Sequence, residues 1–203
     1  MADGEWIESA EQLAALYGPV GDASRRKELP YLAPVYRQWI EAAPFAVLAT
    51  CGPDGLDASP RGDTPGFVVV EDEKTLLLPE RRGNNRVDSL RNILSDPRVA
   101  LLFMIPGVGE TLRINGQARI SVAPALLERF AVQGKAPQCL LVIHVQTVFF
   151  HCARAMLRSR LWQAPRSAAV PTAGEMLAAL TAGELGGESY DRELPQRQRQ
   201  TLY

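Results

Sequence analysis

Histidine is scarce: His144 and His151 are the only two in 203 residues, and neither has a spaced thiol or carboxylate partner. That leaves no zinc-type ligand pattern, and no metal is expected. The three cysteines, Cys51, Cys139 and Cys152, form no CxxC pair and cannot all be bridged. A disulfide framework is thereby excluded, and reduced, buried thiols in a cytoplasmic protein are expected. Cys152 as a nucleophile would need its neighbour His151 as base, but adjacent residues on a strand point to opposite faces. No glycine-rich loop of the Walker or dinucleotide type is present, which removes the sequence case for ATP hydrolysis or a Rossmann mode. A net charge of -1 lacks the basic excess of a nucleic-acid binder. The longest central apolar run, Val99 to Ile105, has seven residues where a bilayer helix needs about 20. The opening MADGEWIE lacks the basic-then-apolar order of a secretory signal.

What remains is an ordinary globular composition, 46% hydrophobic and 22% charged, long enough for one domain with appendages. Residues 1–43 read as a helical extension. Ser9 and Gln12 have capping-box spacing ahead of Leu13, Leu16 and Tyr17, with Gly18 behind, and a second helix is expected from about Pro34 to Ala42. Residues 44–162 are strand-rich, with strands expected at Phe45–Thr50, Asp57–Arg61, Gly66–Val70, Thr75–Leu78, Arg98–Ile105, Thr111–Ile120 and Cys139–Phe150, the last bent near Gln146. Gly52-Pro53-Asp54-Gly55 marks a hairpin turn, and Pro124 opens a short helix through Phe130. Seven strands with few helices between them suggest a mostly β protein with peripheral helices, a small antiparallel barrel. In residues 163–203, Thr172 and Glu175 repeat the capping-box spacing before a helix to about Leu185. The polar stretch Glu188 to Tyr203 is either disordered or docked on a partner subunit.

The segment Asp57–Arg86 carries the chemistry. Period-2 alternation puts Asp57, Ser59 and Arg61 on one face of a strand, and Pro60, which cannot donate to a ladder, marks that strand as an edge or a bulge. After the strand ending at Pro79 comes Glu80-Arg81-Arg82-Gly83-Asn84-Asn85-Arg86, directly before a helix whose buried stripe is expected to be Val87, Leu90, Ile93 and Leu94, capped by Asn84 or Asn85. Guanidinium forks beside unpaired helix N–H groups suit a phosphate. The alternative is a solvated turn whose arginines pair with Glu80 and Asp88, with Arg61 paired to Asp57 or Asp63. In TLRINGQARI, Thr111, Arg113, Asn115, Gln117 and Arg119 share a polar face that is solvated or lines a ligand or subunit contact. Beyond the strands, Arg154, Arg158 and Arg160 add positive charge, and Trp162 is either a packing anchor or a ligand neighbour.

Four motifs in order, SPRGD, LPERRGNNR-x-DSL-x-N, LRINGQARI and FFHCARA-x-x-RSRLW, carry a resemblance to a known family. The chain resembles the FMN-binding split-barrel proteins related to pyridoxamine phosphate oxidase, and more narrowly a bacterial branch of them, over roughly Pro44 to Trp162. The resemblance implies an antiparallel split β-barrel and a homodimer with two FMN molecules in clefts between the subunits. It places the phosphate and ribityl chain on Ser59, Arg61, Arg82, Asn85 and Arg86, and the flavin ring along the backbone near Leu78 and Pro79. The second subunit would contribute the region of Arg113 and Asn115, with Ser159 and Trp162. The implied activity is an FMN-dependent oxidoreductase acting on a small organic substrate, a nicotinamide being one candidate donor; no catalytic residue is assigned. The tail LPQRQRQTLY departs from the basic and aromatic signature with which the pyridoxal-making members grip substrate phosphate, so vitamin B6 oxidation is not expected. A flavin carrier, sensor or storage protein without turnover, or a barrel that takes haem or a deazaflavin, are the alternatives.

Overall fold

β1 (Phe45–Gly52) and β2 (Gly55–Gly62) form the expected hairpin, Phe45 opposite Gly62 and Gly52 opposite Gly55. Gly55 has φ 107°, a conformation costly for any residue with a Cβ. The computed structural model describes residues 6–163 and 170–203, so the first residues of MADGEWIE, and Ala164 and Pro165, lie outside the described residues. The remaining strands are β3 (Val69–Asp72), β4 (Thr75–Glu80), β5 (Arg98–Met104), β6 (Thr111–Ser121) and β7 (Cys139–His151). All seven join one antiparallel sheet in the order β2-β1-β5-β6-β7-β4-β3.

This order leaves β2 and β3 as edges, and Pro60 sits on the first of them, where its missing N–H is not needed. The ladder does not close on itself, so the small antiparallel barrel expected from the sequence is here an open antiparallel sheet. The sheet nevertheless curls round one core, because Ala46 and Leu48 of β1 share a buried cluster with Val70 of β3 and Leu76 and Leu78 of β4, from the other end of the strand order. Strand boundaries also differ from the sequence reading. The apolar run Gly66–Val70 enters the ladder only at Val69, because a turn in which the Phe67 N–H donates to the Thr64 carbonyl takes up its first half. β4 runs on through Pro79, which pairs with Leu140 of β7 on one side, β3 having already ended on the other. β7 carries its irregularity where expected: Asn115 faces Thr147 and Gly116 faces Val145, leaving Gln146 as the extra residue.

The helices are α1 (Ala10–Leu16), α2 (Asp22–Arg26), α3 (Pro34–Ala42), α4 (Asp88–Ser95), α5 (Pro124–Glu128), α6 (Arg154–Ser159), α7 (Ala173–Leu180) and α8 (Gly187–Gln200). Capping boxes at Ser9 and Thr172 open α1 and α7 as their spacing predicts. α3 buries Tyr36 and Ile40 in the core, whereas α1 buries nothing. The polar tail is neither disordered nor free: it forms α8, tied to α7 through Asp191, which accepts from the Thr172 hydroxyl and the Gly174 N–H. The thiols are not uniformly buried either, since Cys139 is buried, Cys51 half-buried and Cys152 exposed.

α4 is fastened onto the end of β1. Asn92 donates to the hydroxyl of buried Thr50 at 3.1 Å, and a Cβ on Gly52 would collide with Asn92, so the helix approaches the strand as closely as glycine allows. Its expected stripe is only half right. Ser89 and Ile93 are buried and Leu90 is half-buried, but Val87 and Leu94 are exposed. Neither Asn84 nor Asn85 caps the helix.

Candidate functional site

Where β3 stops, the gap between edge strand β2 and the end of β4 becomes a cleft of about 940 Å³. Side chains bridge what the backbone ladder does not: Arg61 of β2 reaches across to Glu80 of β4 at 3.2 Å, both of them half-buried. β2 runs along the cleft from Asp57 at the α4 end to Gly62 at the end of the strand, five residues or roughly 17 Å at about 3.3 Å per residue, and Asp63 follows just beyond it.

The α4 end is built from a strained turn and an open helix terminus. Asn85 and Val87 have φ 61° and 52°, and Val87, at the N-cap position, makes no side-chain cap. Asparagine tolerates this left-handed region, but a β-branched residue there is an outlier costing about 1–3 kcal/mol. Strain of this kind must be held by its surroundings, and here it turns the chain so that Val87, Asp88, Ser89 and Leu90 line the cleft, where the first N–H groups of α4 have no intrahelical acceptor. Alongside them Ser89, buried despite its hydroxyl, donates to Asp57 at 2.8 Å, and Ser59 donates to the same carboxylate oxygen at 3.2 Å. β2 and α4 are thereby locked side by side.

The arginines divide by partner. Arg61 is committed to Glu80, not to Asp57 or Asp63, and it also donates to the Pro60 carbonyl. Arg86 pairs with Asp88 at 2.8 Å on an exposed surface, and the hydrogen bond and charge of Asp88 push the guanidinium pKa further up. Among the described residues Arg82 makes no ion pair, so it is the guanidinium of this turn left without a carboxylate.

At the opposite end, Arg81 donates to Asp63 at 2.9 Å and to the Phe130 carbonyl at 2.7 Å. Tyr203, at the end of the tail, donates its hydroxyl to Asp63 at 2.7 Å, and its backbone oxygen accepts from Lys135 at 3.1 Å. Burial is the largest single influence on the Asp63 carboxyl and pushes it up. Hydrogen bonds from Tyr203, Thr64 and Arg81 together outweigh it and leave the group below the ordinary carboxylate range. The same hydrogen bond to Asp63 raises the Tyr203 phenol. Cys139 also faces the cleft, its thiol pushed up by burial and then by the charge of Glu80.

Of the sequence-predicted residues, the fold brings Ser59, Arg61, Pro79, Arg82, Asn85 and Arg86 to this one cleft, with Leu78 fully buried behind Pro79. It does not bring Arg113, Asn115, Ser159 or Trp162 there. Arg113 and Asn115 lie on β6, in register with Leu102 and Ala100 of β5. The Arg113 guanidinium sits 4.3 Å from the Phe149 ring centroid, and its Nε is buried without a hydrogen-bond partner. Ser159 donates to the Met156 carbonyl, and Trp162 Nε1 to the Val108 carbonyl at 2.7 Å. The sequence reading missed Glu80 as the partner of Arg61, and Ser89, Lys135, Cys139 and Tyr203 altogether. Only Ser89 left a signal, as a small polar residue on the inward side of an amphipathic helix.

No curated protein matches the chain. Among solved structures, HupZ from Group A Streptococcus is 20% identical, covering 58% of this chain and 92% of its own, with a TM-score of 0.48. A protein related to general stress protein 26, of the pyridoxinephosphate oxidase family, from Clostridium acetobutylicum is 14% identical, covering 57% and 84%, with a TM-score of 0.44. General Stress Protein 26 from Bacillus anthracis is 18% identical, covering 56% and 88%, with a TM-score of 0.39. Residues 32–152 match the Pyridoxamine 5'-phosphate oxidase family, and that span, from the start of α3 to just past β7, holds every strand of the sheet. The chain belongs to the pyridoxamine 5'-phosphate oxidase family.

Proposed function

We propose that the cleft binds FMN with its phosphate at the α4 end, and that the protein is an FMN-dependent oxidoreductase acting on a small organic substrate. The observation that carries this reading is the uncapped α4 terminus opening beside an arginine with no carboxylate partner, since helix N–H groups and a free guanidinium are the donors a phosphate dianion needs. Arg82 would take the phosphate directly. Arg86 would do so by turning from Asp88, and the Ser59 and Ser89 hydroxyls, held by Asp57, would line the ribityl path. Arg61, fixed by Glu80, would act as a charged wall and not as a primary phosphate ligand. Pro79 and the backbone before it offer an apolar ledge for a ring. Bound FMN would supply hydride or electron transfer, while the chain's own groups bind, orient and exclude water.

A homodimer belongs to the same proposal. Val47, Ala49, Ala100 and Leu102 lie half-buried on the sheet face turned away from the core, next to Arg113 and Asn115. A buried guanidinium nitrogen without an acceptor costs about 1–3 kcal/mol, which favours a partner for Arg113 from outside its own chain. Two copies joined by this face would make two equivalent clefts.

The protein as isolated should show flavin absorbance or take up added FMN, and its mass in solution should be twice that of one chain. Mass spectrometry of the ligand released on denaturation identifies the cofactor. Absence of flavin together with failure to bind FMN overturns the reading. Anaerobic reduction by a nicotinamide donor, then reoxidation by candidate acceptors, tests for turnover.

A further inference from the structure

The tail end of the cleft already holds a ligand-like group, the chain's own Tyr203. Three contacts seat it: the phenol donates to Asp63 Oδ1 at 2.7 Å, the backbone oxygen accepts from Lys135 Nζ at 3.1 Å, and the ring centroid lies 5.6 Å from the Arg81 guanidinium carbon. The receiving groups are fixed without the tail. Asp63 Oδ2 accepts from Arg81 Nε at 2.9 Å, and Arg81 Nη1 donates to the Phe130 carbonyl at 2.7 Å. α8 ends at Gln200, so Tyr203 reaches the cleft on a short segment outside the helix. Among the described residues, the hydrogen-bond acceptor of Lys135 Nζ is this Tyr203 backbone oxygen.

We propose that Asp63, Arg81 and Lys135 form a binding subsite for an aromatic ring with a hydroxyl at one end and a carbonyl or carboxylate oxygen at the other, which Tyr203 fills as a displaceable self-ligand. Each group sets one requirement. Asp63 asks for a hydroxyl donor, the Arg81 guanidinium for a ring, and Lys135 for an acceptor. A free hydroxyaromatic acid offers a group for each of the three contacts: a hydroxyl, a ring and a carboxylate. Against it stands the tether, which presents Tyr203 at an effective concentration on the order of millimolar. Arg81, Lys135 and Tyr203 line the same cleft as the proposed flavin site, so such a molecule is a candidate substrate class. That last assignment rests on the flavin reading; the binding site does not.

Cys139 lines the same cleft as Tyr203 and is only 8% exposed, so the readout chosen for tail displacement is its rate of reaction with a thiol reagent. The experiment uses the full chain with Cys51 and Cys152 replaced by serine, without flavin, and locates the label by mass spectrometry. Tyr203→Ala should speed labelling of Cys139 by about tenfold, with Tyr203→Phe in between, because Phe loses the hydrogen bond to Asp63 and Ala loses the ring beside Arg81 as well. In the Tyr203→Ala protein, 3-(4-hydroxyphenyl)propionate should slow labelling at concentrations about tenfold lower than 3-phenylpropionate requires. Adding Lys135→Ala should abolish that protection, and the protein with Tyr203 intact should need more of the probe. Equal labelling rates with and without Tyr203, or equal protection by the two acids, overturn the proposal. Failure to bind FMN in a separate titration removes the flavin reading alone.

Discussion

The two ends of the cleft differ in what the chain has done with its polar groups. At the α4 end, Arg82 has no carboxylate, no side chain caps the helix, and Val87 is held in a backbone conformation it would not choose. At the tail end, Asp63, Arg81 and Lys135 all have partners, two of them supplied by Tyr203. One end is open for an anion. The other is closed by the protein itself, so a ligand there must compete with a tethered residue.

The largest expected effect sharpens this contrast at the open end. Arg82→Ala should weaken FMN binding by about 10- to 100-fold and leave riboflavin binding unchanged, since a charge-assisted hydrogen bond contributes about 1.5–3 kcal/mol. Arg86→Ala should cost less, because Arg86 must first give up Asp88. Isothermal titration with both ligands decides it, and equal weakening of the two would break the distinction between the ends. Next in size is Asn92→Ala, which removes the bond to buried Thr50 and should lower stability by about 1–2 kcal/mol in urea unfolding, loosening α4 and with it that end of the cleft. Val87→Gly should instead raise stability by about 1 kcal/mol, because glycine adopts the left-handed conformation without the penalty a β-branched residue incurs. A loss of stability there would mean the side chain contributes more than its backbone costs.

The smallest effect belongs to the closed end and depends on pH. The folded-state pKa of Asp63 lies below its unfolded value, so the group binds fewer protons when folded. Its contribution is therefore fully present above the ordinary carboxylate pKa of about 3.9 and is lost as pH falls through the lowered value. The stability difference between the native protein and Asp63→Asn should hold steady from about pH 7 to pH 5 and shrink below about pH 4. A difference that grows on acidification would place the tail's anchor elsewhere.

Short-range and long-range order explain which features could be read in advance. The alternation of TLRINGQARI, the hairpin at Gly52–Gly55, the extra residue at Gln146 and the caps at Ser9 and Thr172 each depend on neighbours a few positions away, and each lies where its pattern puts it. The clustering of Arg82, Asn85 and Arg86 at a helix start was visible for the same reason. Arg61 pairs with Glu80, 19 positions away, and not with the nearer Asp57 or Asp63, because β2 and β4 meet only after the sheet has curled. Val87 gave no warning either, since its preference is for strand and its strain is imposed by the turn that aims α4.

By itself the sequence determined seven strands, the order of polar and apolar faces along them, and a cationic turn in front of one helix, because periodicity and turn chemistry act within a few residues. Only the tertiary structure decided that the sheet stays open between β2 and β3, that the gap becomes the cleft, and that Tyr203 returns across 140 positions to occupy one end of it. Contacts at such separation are selected by the packing of the whole core and the complementarity of the groups that meet. No local pattern encodes either.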